Sequence, residues 1–329
     1  MKLAILISAS LRVKLFTENV LSEIRSQGEL VMNEGEDCSE EHSKQLMKDA
    51  DVVITSWGSV RLTADILDEA PNLKLVVHAA GSVKGVVSDE LFARGIRVVS
   101  CARVLSEGVS EMALGMTIAA TKDIFRQNTL IHSGGWGEDK SLVNEVYEMT
   151  IGIIGFGFAG RHYAELLRAF GVTVLVYDPY CQEELINTYR AEKVDLDELL
   201  ERSDIISLHA ADIPETRHII NATSLAKMKD SAILINTARG ALIDEAALET
   251  ALEAGKFKYV CLDVTDPEPP TADHPLKRFE RVIFTPHIAG LVSNGQLKIG
   301  AMSYSEIKSF NTDGTLSAEV TEEQLARMA

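Results

Sequence analysis

Residues 150–179, TIGIIGFGFAGRHYAELLRAFGVTVLVYDP, restrict what this chain can become more than any other stretch. Residues 151–154 are apolar and largely β-branched, the pattern of a strand buried on both faces. Gly155, Gly157 and Gly160 follow at G-x-G-x-x-G spacing. Residues 158–170 carry Tyr163, Leu166, Leu167 and Phe170 on one side of a predicted helix, Gly171 ends it, and residues 172–177 form a second apolar strand. Asp178 stands at the carboxyl end of that strand, 18 positions beyond Gly160.

Each of these parts has a job if the turn binds a dinucleotide. Gly155 permits the tight strand-to-helix turn, Gly157 lets the backbone approach a pyrophosphate, and Gly160 lets helix and strand pack closely. The free N–H groups and dipole of the helix start favour the phosphates. Asp178 can accept hydrogen bonds from the adenosine ribose and would repel a 2′-phosphate, so NAD is expected over NADP. A plain connecting turn leaves the second and third glycines without a purpose.

At 329 residues, two domains are the natural expectation. A net charge of −17 disfavours nucleic acid and anionic membrane surfaces as partners, and makes a local cationic pocket necessary for an anionic substrate. Cys38, Cys101, Cys181 and Cys261 lie far apart with no C-x-x-C, so neither a disulfide framework nor a metal site is suggested. The first residues turn polar too quickly for a signal peptide, and no apolar run is long enough to span a bilayer, so a cytoplasmic location is expected.

Before the glycine turn, strands are expected at 2–7, 52–55, 73–78 and 96–100, with helices at 15–26, 63–69 and 91–94. A long helix over 105–124 bridges to the glycine turn, and residues 126–149 read as a polar, irregular arm suited to packing on another subunit. Beyond Asp178, strands are expected at 204–208, 232–236, 258–262 and 282–284, with helices at 195–202, 244–254 and 294–310. Alternation of this kind gives parallel sheets with right-handed crossovers. The expected fold is therefore α/β with two domains. A Rossmann dinucleotide-binding domain (103–290) is inserted into a smaller, flavodoxin-like substrate domain (1–102 and 291–329), with the active site in the cleft between them.

Three stretches at predicted strand ends carry candidate chemistry. Arg239, in INTARGALID, can bind a carboxylate or carbonyl through two parallel hydrogen bonds. Glu268, in CLDVTDPEPP, lies between two prolines that fix the chain around it. His287, in FTPHIAG, is a natural proton donor and acceptor. Taken singly, a structural ion pair, an exposed loop acid or an ordinary histidine explains each as well. Together they supply what NADH-dependent ketone reduction requires: a proton donor, an acid behind it and a cation on the substrate. His209 also ends a strand and could touch the cofactor, whereas His42, His132, His162, His218 and His274 lie where a surface role is expected.

GFGFAG with Asp178, PETRHII at 214–220, NTARG, LDVTDPEP and PHIAG occur in one order along nearly the whole chain. In this the chain resembles the D-isomer-specific 2-hydroxyacid dehydrogenases, a family that includes glycerate, phosphoglycerate and D-lactate dehydrogenases. The resemblance implies catalytic roles for Arg239, Glu268 and His287. It implies NAD contacts at Gly155, Gly157, Phe158, Ala159, Gly160, Asp178, His209, Ala210, Thr237, Ala238, Asp263 and Ala289. It further implies that Ala80, Gly81 and Ser82, together with Arg239, bind the substrate, and that the protein is a homodimer joined through the cofactor domain and the arm.

The sequence also departs from the family pattern. The substrate loop usually continues as G-V-D-N-I-D, but here it runs Gly81-Ser82-Val83-Lys84-Gly85-Val86, losing both acids. Lys84 is either a solvated surface residue or part of a second anion site. After His209, Ala210-Ala211-Asp212-Ile213 replaces the frequent L-P-L-T. Trp57, Arg61 and Trp136 join Lys84 as residues expected to influence substrate choice. With the chain ending at Ala329, no appended regulatory domain is expected. An NAD(H)-sensing corepressor on the same scaffold is the alternative from another class, and the intact Arg, Glu and His argue against it. Formate-type relatives place Gln where Glu268 stands.

Overall fold

The computed structural model describes residues 1–137 and 139–328. Glu138 and Ala329 lie outside the described residues, so the 126–149 arm and the 291–329 segment are described without them. The chain divides into two compact units, Met1–Leu105 with Leu291–Met328, and Ser106–Gly290.

In the first unit, strands β1 (Lys2–Ile5), β2 (Glu29–Met32), β3 (Val52–Thr55), β4 (Leu75–His78) and β5 (Arg97–Ser100) form a parallel sheet ordered β2-β1-β3-β4-β5. Successive side chains alternate between its faces, as strand geometry requires. Leu3, Ile5, Ile54 and Val77 pack with Ile299, Met302 and Ile307 of the helix Leu297–Asp313. Ala4, Leu6, Val53 and Val76 pack on the other side with Met47, Ile66 and Leu91.

Two expectations for this unit are corrected. The helix expected over 15–26 runs Glu18–Arg25, starting at Thr17, which accepts a hydrogen bond from the Val20 N–H, and a further helix, Ala9–Leu15, that was not anticipated precedes it. Strand β2 was not anticipated; it is a partly exposed edge strand whose apolar run, Leu30 to Met32, is short and flanked by polar residues.

In the second unit, the strands are β6 (Thr150–Ile154), β7 (Thr173–Tyr177), β8 (Glu192–Lys193), β9 (Ile205–Leu208), β10 (Ile233–Asn236), β11 (Tyr259–Leu262) and β12 (Val282–Phe284). Their order, β12-β11-β10-β9-β6-β7-β8, reverses direction between β6 and β9, which is the switch point where doubly wound sheets hold ligands.

The helix Ala102–Thr121 ends earlier than expected, and Asp123 follows in the left-handed region with φ 58°. Its carboxylate accepts hydrogen bonds from Tyr259 Oη (2.8 Å) and Arg126 Nε (2.8 Å). A second helix, Ile124–His132, occupies part of what was expected to be an irregular arm. It buries no side chain within the chain, so it left no apolar stripe to read.

Candidate active site

The glycine turn follows β6, and its three glycines divide the work as their spacing predicts. Gly155 takes φ 92°, and a Cβ there would lie 2.5 Å from the Ala210 backbone. A Cβ at Gly160 would lie 2.2 Å from the Gly155 carbonyl oxygen, so helix and strand meet there. At Gly157, by contrast, no protein atom comes within 4 Å of the Cβ position, so protein packing does not require glycine there. The helix Phe158–Leu167 starts at this residue with no side chain capping its first N–H groups, which include those of Phe158 and Ala159. These features fit a pyrophosphate.

Asp178 sits at the end of β7 and is partly engaged. Its Oδ2 accepts from Phe156 N (2.7 Å), and its Oδ1 accepts from Tyr180 N (2.9 Å) and Cys181 N (3.0 Å). The acid thus stitches the glycine turn to the β7 loop, a structural duty the sequence did not reveal.

Across the switch point, β9 ends at His209, whose Nε2 meets Ser207 Oγ at 2.9 Å and whose ring lies against Tyr163. Burial pushes its pKa down to about 3, so the imidazole is neutral. The following loop is closed by Thr216, whose Oγ1 donates to Ala211 O and accepts from Ile213 N, on either side of Asp212.

Arg239 follows β10. Asn236, fully buried, accepts from Ala238 N (3.1 Å) and donates to Arg239 O (2.9 Å), which fixes the turn that carries the guanidinium. The guanidinium bonds Ala238 O (2.7 Å). Burial pushes its pKa down, opposed by the nearby charges of Glu268 and Asp212, and an arginine stays cationic even so. Thr237 Oγ1 is buried with no hydrogen-bond partner, an orphan consistent with a bound group at this strand end.

Gly240 joins this loop to the next one. A Cβ there would lie 2.1 Å from Thr265 C and O. The 265–269 segment, which carries Glu268, is also held by Glu245, whose Oε1 accepts from Asp266 N (3.3 Å) and whose Oε2 meets His274 Nε2 (2.8 Å). His274 is therefore a buried structural residue, a correction to its expected surface role. The signal was missed because its partner lies 29 positions away.

His287 and Glu268 meet directly, Nδ1 to Oε1 at 2.5 Å. The pairing holds Nδ1 and leaves Nε2 as the nitrogen able to exchange a proton with a substrate. His287 has φ 52°, a left-handed conformation that is costly for a non-glycine residue and that the surroundings must impose. Asp263 does so: only 2% exposed, it accepts from Thr285 Oγ1 (2.6 Å), Ile288 N (2.9 Å) and Ala289 N (2.8 Å), while its carbonyl accepts from His287 N (2.9 Å). Among the described residues, no group of His, Cys, Asp and Glu could hold a metal.

In the first unit, the loop after β4 carries Ala80, Gly81 and Ser82. Their N–H groups donate no hydrogen bond among the described residues, whereas the carbonyls of Ala79, Ala80 and Gly81 are all engaged by the protein. Three successive unengaged amides of this kind can bind an anion. Trp57, Arg61 and Lys84, on neighbouring loops of the same unit, are exposed.

Comparison with known proteins decides what this arrangement belongs to. Residues 114–289 match the NAD-binding domain of the D-isomer specific 2-hydroxyacid dehydrogenases. The chain belongs to this family. It is 34% identical over 292 residues to D-3-phosphoglycerate dehydrogenase of Methanocaldococcus jannaschii, covering 88% of this chain and 55% of that protein. It is 35% identical over 280 residues to hydroxypyruvate reductase of Thermotoga maritima, covering 83% of this chain and 90% of that one. The chain thus spans about half the length of the first relative and most of the second. Its fold matches D-lactate dehydrogenase with NAD+ from Lactobacillus jensenii, with a TM-score of 0.81 and 26% identity over 98% of this chain and 100% of that one. As a family member the chain carries the family's NAD-binding domain. The sensing alternative finds no support among these relatives.

Proposed function

We propose that this dehydrogenase works as an NADH-dependent reductase of a 2-keto acid to the D-2-hydroxy acid. The observation that carries the proposal is the His287–Glu268 pair on a turn locked by Asp263, beside a largely buried arginine. NADH, when bound, supplies the hydride. The glycine turn and the Phe158 and Ala159 amides hold its pyrophosphate, Asp178 its ribose, and the 237–238 and 263 strand ends its nicotinamide side. His287 Nε2 gives the proton to the keto oxygen, and Glu268 on Nδ1 keeps the ring oriented and offsets its positive charge. Arg239 polarises the carbonyl, and the amides of Ala80, Gly81 and Ser82 take the carboxylate. Unit 1 is accordingly the substrate domain and unit 2 the cofactor domain.

The working form is proposed to be a cytoplasmic homodimer. Four free cysteines suit a reducing compartment. Among the described residues, no helix is long and apolar enough to cross a membrane. The arm exposes Ile124, Ile131, Leu142 and Tyr147, with Trp136 84% exposed, beside a groove of about 1310 Å³ lined by residues such as Phe125, Tyr259, Phe279 and Ile283. A second copy would cover this apolar surface.

The test is NADH oxidation at 340 nm with glyoxylate, hydroxypyruvate, pyruvate, bulky and phosphorylated 2-keto acids. Turnover of at least one, with a D product, is expected; no turnover of any would overturn the reading. Thermal shift with NADH and NADPH tests Asp178, with the larger stabilisation expected from NADH.

A further inference from the structure

The three amides of the β4 loop are not left free by default. A four-residue loop has as many carbonyls as N–H groups, and an unsupported loop can turn either set toward a ligand. Here two hydroxyls and a backbone amide, from the ends of β3 and β5, hold the carbonyls. Ser56 Oγ, just past β3, donates to Ala79 O at 2.7 Å. Cys101 N, just past β5, donates to Ala80 O at 3.0 Å. Ser100 Oγ, at the end of β5, donates to Gly81 O at 2.5 Å and accepts from Ala102 N at 3.0 Å, which ties the loop to the start of the helix Ala102–Thr121. The buried His78 ring, at the end of β4, meets Thr55 Oγ1 at 3.0 Å. No protein atom comes within 4 Å of where a Cβ on Gly81 would stand, so packing against the protein does not explain its small size.

We propose that Ser56 and Ser100 are positioning residues that hold the Ala79 and Gly81 carbonyls and so leave the Ala80, Gly81 and Ser82 amides free for the substrate carboxylate before it arrives. The proposal rests on the keto-acid reading above. Neither side chain has to touch substrate. Each acts through the backbone, by removing the alternative peptide orientation that a binding carboxylate would otherwise have to displace. Ser100 carries the most, because its hydroxyl both donates to the loop and accepts from the helix start.

The experiment is steady-state kinetics of Ser56→Ala and Ser100→Ala on the best 2-keto acid, with inhibition by a non-reducible carboxylate analogue, oxamate, and NADH affinity measured alongside. Losing one such bond is expected to raise KM and the oxamate inhibition constant together by about fivefold to tenfold, with kcat and NADH affinity within twofold. Ser100→Thr, which keeps the hydroxyl, should restore KM. Ser88→Ala is the control: Ser88 Oγ also donates to a carbonyl, that of Leu62 (2.6 Å), but away from this loop, and its KM should not move. If Ser100→Ala fails to fold, Ser100→Cys, similar in size but a weak donor, carries the same test. Unchanged KM in the alanine variants, or a fall in kcat alone, overturns the proposal. Its failure differs from failure of the functional reading, in which the wild-type protein itself reduces no 2-keto acid.

Discussion

Asp263 shows how much of a site can depend on a residue that performs no chemistry. Its carboxylate and carbonyl fix four groups of the His287 turn, on Thr285, His287, Ile288 and Ala289. Asp263→Ala leaves the Ile288 and Ala289 amides without their acceptor, and is expected to destabilise the protein by about 3 kcal/mol in urea unfolding and to lower kcat. Its motif, LDVTDPEP, was readable in the sequence, but its hydrogen bonds were not, because they join positions more than 20 apart. His78 and His209 give a second prediction at this scale. Burial pushes them from 6.5 down to about 4 and about 3. Below pH 6.5 the unfolded chain therefore binds protons that the folded chain does not. Stability from this source is complete above pH 6.5 and is lost as pH falls toward 4 and then 3, by about 1.4 kcal/mol per pH unit for each histidine. Urea midpoints at pH 7 and pH 5 should differ accordingly; equal midpoints would contradict the neutral, buried state of both rings.

Among elements, the glycine turn separates packing from binding. Gly157→Ala adds a methyl group where no protein atom lies within 4 Å, so the apparent unfolding temperature without cofactor should hardly change while NADH affinity falls at least tenfold. Gly240→Ala should do the reverse. Its methyl group meets the Thr265 backbone at 2.1 Å, which is expected to cost about 1–3 kcal/mol and to move the Glu268 segment, lowering kcat with NADH affinity retained. The strands around the turn were legible because β6, β9, β10 and β11 are buried along nearly their whole length and read as largely apolar, β-branched stretches. What was not legible lies at edges and on exposed faces. Strand β2 and the helix Ile124–His132 bury no face fully and β8 is only two residues long, and the breaks at Thr17 and Asp123 come from a cap and a left-handed residue.

At the scale of the whole molecule, two parallel sheets of different strand order each carry candidate site loops at their strand ends. In a chain of net charge −17 an anionic substrate needs local donors; unit 1 holds the loop with unengaged backbone amides, and unit 2 holds Arg239 and the His287–Glu268 pair. The exposed apolar arm predicts association: sedimentation equilibrium should give a dimer near twice 36.0 kDa, and Trp136→Glu should shift it toward monomer. The central claim is that His287, held by Glu268, supplies the proton in NADH-dependent reduction. Its most direct test is a single-turnover measurement, by stopped flow, of NADH-loaded wild type and His287→Asn mixed with the best 2-keto acid. The variant should bind NADH as the wild type does and consume it about 10²–10⁴-fold more slowly; a variant that matches the wild-type rate would contradict the account.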